Sequence, residues 1–329
     1  MHPELFEIPL IHLTVKSYGL MMVIGFLATV WLIRYLSRDI TPDPQLITNA
    51  ALYSLIGGVA GARLFYVVHY FDHFRDNLPS VFAIWQGGLE LLGGVILTII
   101  IISFYLWYHK LPIRRYLDIL AIGLMLALVF GRIGCFLNGC CFGKPTNLPW
   151  AVRFPYNSFA YRSQISPNMA RNRPQPRLQL PPEYFSYTDK DGERYLKPYQ
   201  DLTAEQKTEV TTGKYRCLPV HPTQLYESAG AAVLCLFLYL FWRRVRNAES
   251  SGNPNRFLAK SGQTFSLMFI LYATTRFFIE FLRDDNPFEF AWWLTISQIV
   301  TVLMLVFGAV FMAVFQRMAP DKISVGGPK

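Results

Sequence analysis

The sequence predicts an all-α integral membrane protein with about seven transmembrane helices, its N-terminus outside and its C-terminus cytoplasmic, carrying a small external loop domain. Three observations predict it. Of 329 residues, 52% are hydrophobic and only 16% charged, with a mean hydropathy of +0.26, too apolar for a soluble domain of this size. Seven stretches reach the roughly 20 apolar residues that a helix needs to cross a bilayer. The Lys and Arg of the short connections are unequally shared. Twelve lie on one side (Arg38; Lys110, Arg114, Arg115; Arg243, Arg244, Arg246, Arg256, Lys260; Arg317, Lys322, Lys329), against Lys16, Arg75 and Arg283 on the other. By the positive-inside rule the first side is cytoplasmic.

In chain order the stretches are Tyr18 to Leu36, Leu46 to Tyr70, Gly88 to Tyr108, Tyr116 to Phe136, Glu227 to Trp242, Gly262 to Leu282 and Ala291 to Gln316. The first is longer than the roughly 7 to 15 residues of a signal-peptide core and no small-x-small site follows it, so it is expected to stay in the membrane. The fifth is the shortest and is expected to extend back into HPTQLYE. Leu137 to Tyr226 is then a long external loop. Within it Pro149 to Pro155 is an apolar return, Tyr156 to Arg216 a polar insertion, and Cys217 to Tyr226 a path back into the membrane. The chain thus divides into 1–155, 156–216 and 217–329. In the insertion PEYFSYTDKDGERYLKPY reads as a hairpin around Asp189 to Gly192; composition leaves open whether the whole is a small domain or a partly ordered segment. Ala319 to Lys329 reads as a short flexible end. The net charge of +9 sits largely where anionic lipid headgroups lie, so it calls for no nucleic acid.

The five cysteines give neither a disulfide framework nor a zinc pattern, since no CxxC pair occurs. Cys135 and Cys235 read as small buried residues, and a bridge from Cys217 to Cys140 or Cys141 stays open outside the membrane. No metal and no cofactor is expected.

The most informative stretch is Gly131 to Gly143, GRIGCFLNGCCFG. Arg132 appears before the apolar run has ended, at a depth where an unpartnered guanidinium costs roughly 2.5 to 3.5 kcal/mol. Gly131, Gly134, Gly139 and Gly143 allow close backbone approach to an anion, and Asn138 adds an amide. The other polar residues within the stretches also fall at external ends: Tyr18, Arg63, Glu90, then His221, Gln224 and Glu227, then Tyr272, Arg276 and Glu280 at i, i+4 and i+8 on one face, and Gln298. The opposite halves are nearly bare, Asp118 being the main exception. Taken singly, each residue reads equally well as an ion pair or a snorkelling arginine holding helices together. Jointly they outline an arginine-rich cavity in one leaflet, with positive charge left over for a phosphate. At that depth the simplest anion is a phospholipid headgroup.

SYGLM around Tyr18, GARLFYV around Arg63, QGGLELLGG, GRIGCFLNGCCFG, HPTQLYE and YATTRFFIEFLR occur in this order over nearly all seven helices. The combination resembles the prolipoprotein diacylglyceryl transferases. The resemblance implies transfer of the diacylglyceryl group of phosphatidylglycerol to the lipobox cysteine of a preprolipoprotein signal peptide, in the bacterial inner membrane with the site towards the periplasm. It implies a monomer among membrane lipids, with no nucleic acid and no cofactor. Carried over by motif, Arg132 and Arg276 would hold the lipid phosphate, Tyr18 would line the headgroup site, Gly143 would close the glycine-rich turn and Glu280 would orient Arg276. Arg63, Glu90, Asn138, His221, Gln224, Tyr272 and Gln298 complete the candidate substrate-binding set. The chain departs from the family where some members have histidine and it has Leu92, and where some have asparagine and glutamate and it has Cys135 and Cys140. These departures leave the general base unassigned, with Glu90 and His221 at suitable depth. The insertion is larger than the resemblance implies; it is expected to meet the protein substrate or cover the site, with lipid binding independent of it.

Two other function classes remain. A phospholipid transporter or flippase would also use intramembrane arginines, but no inverted repeat is visible and the polar residues stop in one leaflet. A thiol oxidoreductase using Cys140 and Cys141 lacks the spacing such enzymes use.

Overall fold

Long apolar runs can only cross a bilayer as helices, and the chain folds accordingly. The computed structural model describes residues 4–8, 13–38, 40, 43, 45–75, 77–83, 88–188, 194–250, 260–286 and 294–318. Six helices are long and apolar enough to span a membrane: α1 (Ser17–Ser37), α2 (Gln45–His69), and, after the short α3 (Phe71–Phe74) and the apolar but shorter α4 (Leu91–Tyr108), α5 (Ile113–Asn138). The remaining three follow the insertion with its short α6 (Phe159–Ile165) and α7 (Ala204–Thr211): α8 (Thr223–Ser250), α9 (Gln263–Ile279) and α10 (Ile296–Arg317). Of the seven expected spans, six therefore meet the length requirement and α4 falls just short of it. α8 begins inside HPTQLYE, at Thr223. An N-terminal hairpin, β1 (Glu4–Ile8) against β2 (Leu13–Lys16), and a second, β3 (Phe185–Thr188) against β4 (Arg194–Leu196), are the sheets among the described residues. The expected hairpin tip at Asp189 to Gly192 lies outside them, as do Gln86, Gly87, Arg256 and the tail from Ala319.

α5 is the central helix: it packs on α1, α8 and α9, while α10 leans on α9 and α2 pairs with α4. The core between them contains Leu36, Ile119, Ile122, Met125, Leu238, Trp242 and Met268. The α2–α4 pair explains the glycines of that region. A Cβ at Gly93 would stand 2.4 Å from the Gly61 carbonyl oxygen and one at Gly94 would stand 2.6 Å from that of Gly58. Only glycine permits backbones this close, the usual device where apolar lipid gives helices no other reason to associate.

The ionisable exceptions at the other end of the bundle are capping groups. Asp118 of α5 accepts hydrogen bonds from the N–H groups of Gly262 (2.7 Å) and Phe265 (2.9 Å), closing the start of α9 from a neighbouring helix. Lys260 Nζ donates to the Gln316 and Met318 carbonyls at the end of α10. Both satisfy helix ends that would otherwise expose unpaired backbone groups.

The insertion is folded around its own apolar residues. Phe142, Phe154, Ala160, Tyr161, Leu178, Cys217 and Val220 form one cluster, and Tyr184, Leu202 and Val210 a second. The first draws on residues before and after the polar stretch, so the insertion is rooted in its flanks. Cys217 belongs to this cluster, where burial pushes its thiol up to about 11, and all five cysteines are free.

Candidate active site

The end of α5, the start of α8, the end of α9 and the start of α10 converge at one end of the bundle. α5 stops because Gly139 turns left-handed (φ +77°), which lets the Gly139 and Cys140 N–H groups donate back to the Phe136 and Cys135 carbonyls, both at 3.2 Å. The chain then threads between two others: Gly143 N–H donates to the His221 carbonyl (3.0 Å) and Lys144 N–H to that of Leu282 (2.7 Å). A Cβ at Gly143 would lie 2.6 Å from His221 Cβ and 2.9 Å from the Leu282 oxygen, so the crossing requires glycine.

The crossing brings the charged groups together. Arg276 donates to Glu280 (2.5 Å) and Ser297 (3.2 Å), and Glu280 also accepts from Asn286 (2.7 Å) and Thr295 (2.8 Å). The i, i+4 pair is thus fixed on every side, with Glu280 only 2% exposed. Arg132 Nη2 stands 2.8 Å from Glu227 Oε2, but off the hydrogen-bonding direction, so this contact is charge attraction without an aligned bond. Arg132 Nε is buried and donates to no group among the described residues. Arg283 closes the ring, giving Nη1 to Glu227 (3.3 Å) and a two-point contact to Asp285 (2.9 and 2.6 Å).

The insertion adds three more guanidinium groups. Arg177 holds Asp284 through both oxygens (2.6 and 3.0 Å), Arg173 reaches the same carboxylate (3.3 Å), and Arg171 donates to the backbone carbonyls of Arg283 (2.9 Å) and Asn286. Among the described residues, six arginines (132, 171, 173, 177, 276 and 283) thus face four carboxylates (Glu227, Glu280, Asp284 and Asp285), an excess of two positive charges within that set. An anion is the natural complement of such a site. These contacts also change the expectation for the insertion: its arginines latch the turn that follows Glu280, so it is wired into the site's support.

The predicted residues divide into those at this convergence and those elsewhere. Arg132, Arg276, Glu280, Gly143 and His221 meet here. Tyr18, at the start of α1, reaches it across Gly134, where a Cβ would stand 3.1 Å from the Tyr18 ring. Tyr272 lies within the electrostatic reach of Arg132, and the Asn138 side chain stands beside the Cys140 thiol. His221 faces the Tyr226 hydroxyl (3.4 Å), and desolvation holds its imidazole below the ordinary histidine pKa. Gln224, fully buried, donates to the Cys140 carbonyl (2.6 Å), so it braces the turn. Gln298 is the third residue of the capping box that opens α10: Thr295 N–H donates to its side chain (3.0 Å) and its own N–H donates to Thr295 Oγ1 (3.3 Å). Its polarity is spent on the helix start.

Arg63 and Glu90 are not brought to the arginine ring. Arg63 lies on the α2–α4 side and donates to the Val81 (2.7 Å), Gly88 (3.0 Å) and Ser80 (2.8 Å) carbonyls, tying down the segment after α3. Glu90, at the start of α4, accepts from His69 Nδ1 at 2.6 Å. Glu227, which the sequence places in the outlined cavity, and Arg283, at the same end of the bundle, were not carried into the candidate set, and Asp285, Asn286, Thr295 and Ser297 were not singled out at all. Glu227 sits in the quoted HPTQLYE and Arg283 three residues after Glu280; their spacing from other charges was the available signal.

Residues 3–314 match the family described as prolipoprotein diacylglyceryl transferase. Similar proteins include a phosphatidylglycerol–prolipoprotein diacylglyceryl transferase of Methylococcus capsulatus, 31% identical over 312 residues that make up 92% of this chain and 91% of its own. Others with that name are from Clostridium tetani, 28% identical (94% and 95% covered), and Trichormus variabilis, 27% identical (95% and 90% covered). Matched over nearly its whole length by that family and by relatives of almost equal extent, the chain belongs to the prolipoprotein diacylglyceryl transferase family.

Proposed function

We propose that this chain transfers the diacylglyceryl group of phosphatidylglycerol to the lipobox cysteine of a preprolipoprotein, at the periplasmic face of a bacterial inner membrane. The observation that carries the reading is Arg132: a largely buried guanidinium whose Nε has no partner among the described residues, inside a ring that, among those residues, has two positive charges over. In the reaction the substrate thiolate attacks the glycerol carbon that bears the phosphate ester; a C–S bond forms, the C–O bond breaks, and glycerol phosphate leaves with the electron pair. Arg132 and Arg276 stabilise the charge that develops on the leaving phosphate, which fixed donors in a water-poor site do at no reorganisation cost. Tyr18 and the glycine-threaded turn at Gly143 shape the pocket beside them, and holding lipid and thiol together supplies much of the rest. The Lys and Arg asymmetry supports the periplasmic placement. A lipid transporter would want a polar path through the other half of the bundle, where Asp118 and Lys260 are occupied in capping α9 and α10. The direct test is incubation with headgroup-distal labelled phosphatidylglycerol and a lipobox peptide: label should appear on the peptide cysteine, and label that only crosses the bilayer refutes the reading.

The pH dependence is expected to belong to the substrate. His221 is pushed below its ordinary pKa by desolvation, so it is neutral at pH 7 and above, and its titration shapes only the acid limb. A free thiol titrates near 8.5, and the arginine field favours its thiolate. The single-turnover rate should therefore climb from about pH 6 towards about pH 8.5, and Leu92→His should alter it only modestly. Leu92 is largely exposed at the start of α4, away from the arginine ring. Activity that appears only after Leu92→His, or a rate flat over that range with chemistry limiting, would overturn this account.

A further inference from the structure

Three of the five cysteines converge although no spacing rule joins them. Cys135 lies in the last turn of α5, and the left-handed Gly139 reverses the chain so that Cys140 and Cys141 come back over it. Cys141 is itself left-handed (φ +59°), an uncommon state for a residue with a side chain. The turn is braced from α8: Gln224 donates to the Cys140 carbonyl (2.6 Å) and Thr223 to that of Cys141 (2.7 Å). Both braces are fully buried. As a result the Sγ atoms of Cys135, Cys140 and Cys141 all lie within 4.8 Å of one another. All three thiols are free, and Cys140 and Cys141 are partly exposed, so the cluster is open to an incoming species from their side.

We propose that Cys135, Cys140 and Cys141 form a three-thiolate binding site for a soft monovalent metal ion of the Cu(I) type. Softness selects the class, because thiolates prefer Cu(I) and zinc to the hard cations. Ligand number selects within it. A structural zinc site wants four protein ligands, whereas no histidine or carboxylate joins the three sulfurs among the described residues. With metal–sulfur distances of about 2.3 Å, three sulfurs in a plane around an ion stand about 4 Å apart, so closing the site takes only small side-chain adjustments. Charge favours the same choice. The Arg283 and Arg132 guanidinium groups lie within electrostatic reach of Cys141. Three thiolates with one monovalent ion carry two negative charges, matching the excess of the arginine ring. Binding exchanges thiol protons for the ion and changes no oxidation state.

The site lies beside Tyr18, which packs on Gly134 next to Cys135, so an occupied site would obstruct lipid transfer; this second consequence rests on the proposed function, and the first does not. The purified chain, kept reduced in detergent micelles, is titrated with Cu(I) held by bicinchoninate, whose colour fades as the ion moves to the protein. One Cu(I) per chain is expected, with each single serine substitution at 135, 140 or 141 weakening uptake by roughly tenfold or more and Cys235→Ala leaving it unchanged. Equal uptake by the triple serine variant, or uptake of zinc alone, would overturn the site. Should the triple variant fail to fold, X-ray absorption of the Cu(I)-loaded wild-type chain decides: three sulfurs at about 2.3 Å support the site, and two or fewer refute it. In the transfer assay one equivalent of Cu(I) should inhibit the wild-type chain and spare Cys135→Ala/Cys140→Ala/Cys141→Ala. A chain that binds the ion but never transfers lipid would sink the proposed function and leave the metal site standing.

Discussion

Lysine at position 132 or 276 is expected to cut diacylglyceryl transfer by roughly a hundredfold or more while the chain still folds and inserts. Arg276 already spends one arm on Glu280 and another on Ser297, and Glu280 is fixed in turn by Asn286 and Thr295. The guanidinium plane is therefore set before any lipid arrives. A lysine offers one compact ammonium, which would settle on Glu280 and leave no second, coplanar donor for a phosphate oxygen. At 132 the loss takes a different form: lysine would satisfy Glu227 and abolish the unpartnered Nε donor. Because the phosphate gains charge as it leaves, the loss should fall on the single-turnover rate at saturating lipid, with a smaller change in lipid affinity. Glu280→Gln, which keeps hydrogen-bonding capacity but not charge, should cost less than either. Near wild-type turnover in both lysine variants would remove the phosphate-clamp assignment.

Length and apolarity made the helices legible, because a bilayer sets one requirement that a sequence either meets or fails. Position along the bundle was legible too, since it follows from counting residues along each helix. Lateral position was not, and that separates the well-read residues from the others. Arg276 and Glu280 share one helix, so their pairing follows from i, i+4 spacing alone. Arg63 has a similar expected depth, yet it sits on the α2–α4 side and is consumed by three backbone carbonyls. Gln298 carried a readable signal of another kind: Thr295 three residues before it makes a capping box, which accounts for its polarity without a ligand. The cysteine cluster escaped a search for CxxC because a left-handed helix end, not a fixed interval, brings residues 135, 140 and 141 together. The arginine latch of the insertion was hidden for the same reason, since positions 171 to 177 and 284 are joined only by the fold.

That latch leads to the other large effect. Asp284 is buried and accepts from Arg173 and Arg177, while Arg171 holds the carbonyls of Arg283 and Asn286. Asp284→Ala leaves two guanidinium groups without their carboxylate, and breaking a buried pair from one side costs roughly 3 to 5 kcal/mol. Arg177 is partly exposed, so solvent should hold the loss near the lower end. The expected results are a lower thermal midpoint, proteolysis admitted within 156–216, and reduced transfer, because the loosened turn carries Asn286, which holds Glu280, and Arg283, which holds Glu227. Arg194→Ala, on β4 and away from the latch, should change none of these. Replacement of 156–216 by a Gly/Ser linker should then weaken phosphatidylglycerol binding along with peptide use, since three of the six site arginines leave with it and Asp284 is left buried and unpaired. Full lipid binding in that shortened chain, measured by displacement of a labelled phosphatidylglycerol, would show that the latch merely fastens the insertion and that the pocket is built from the membrane helices alone.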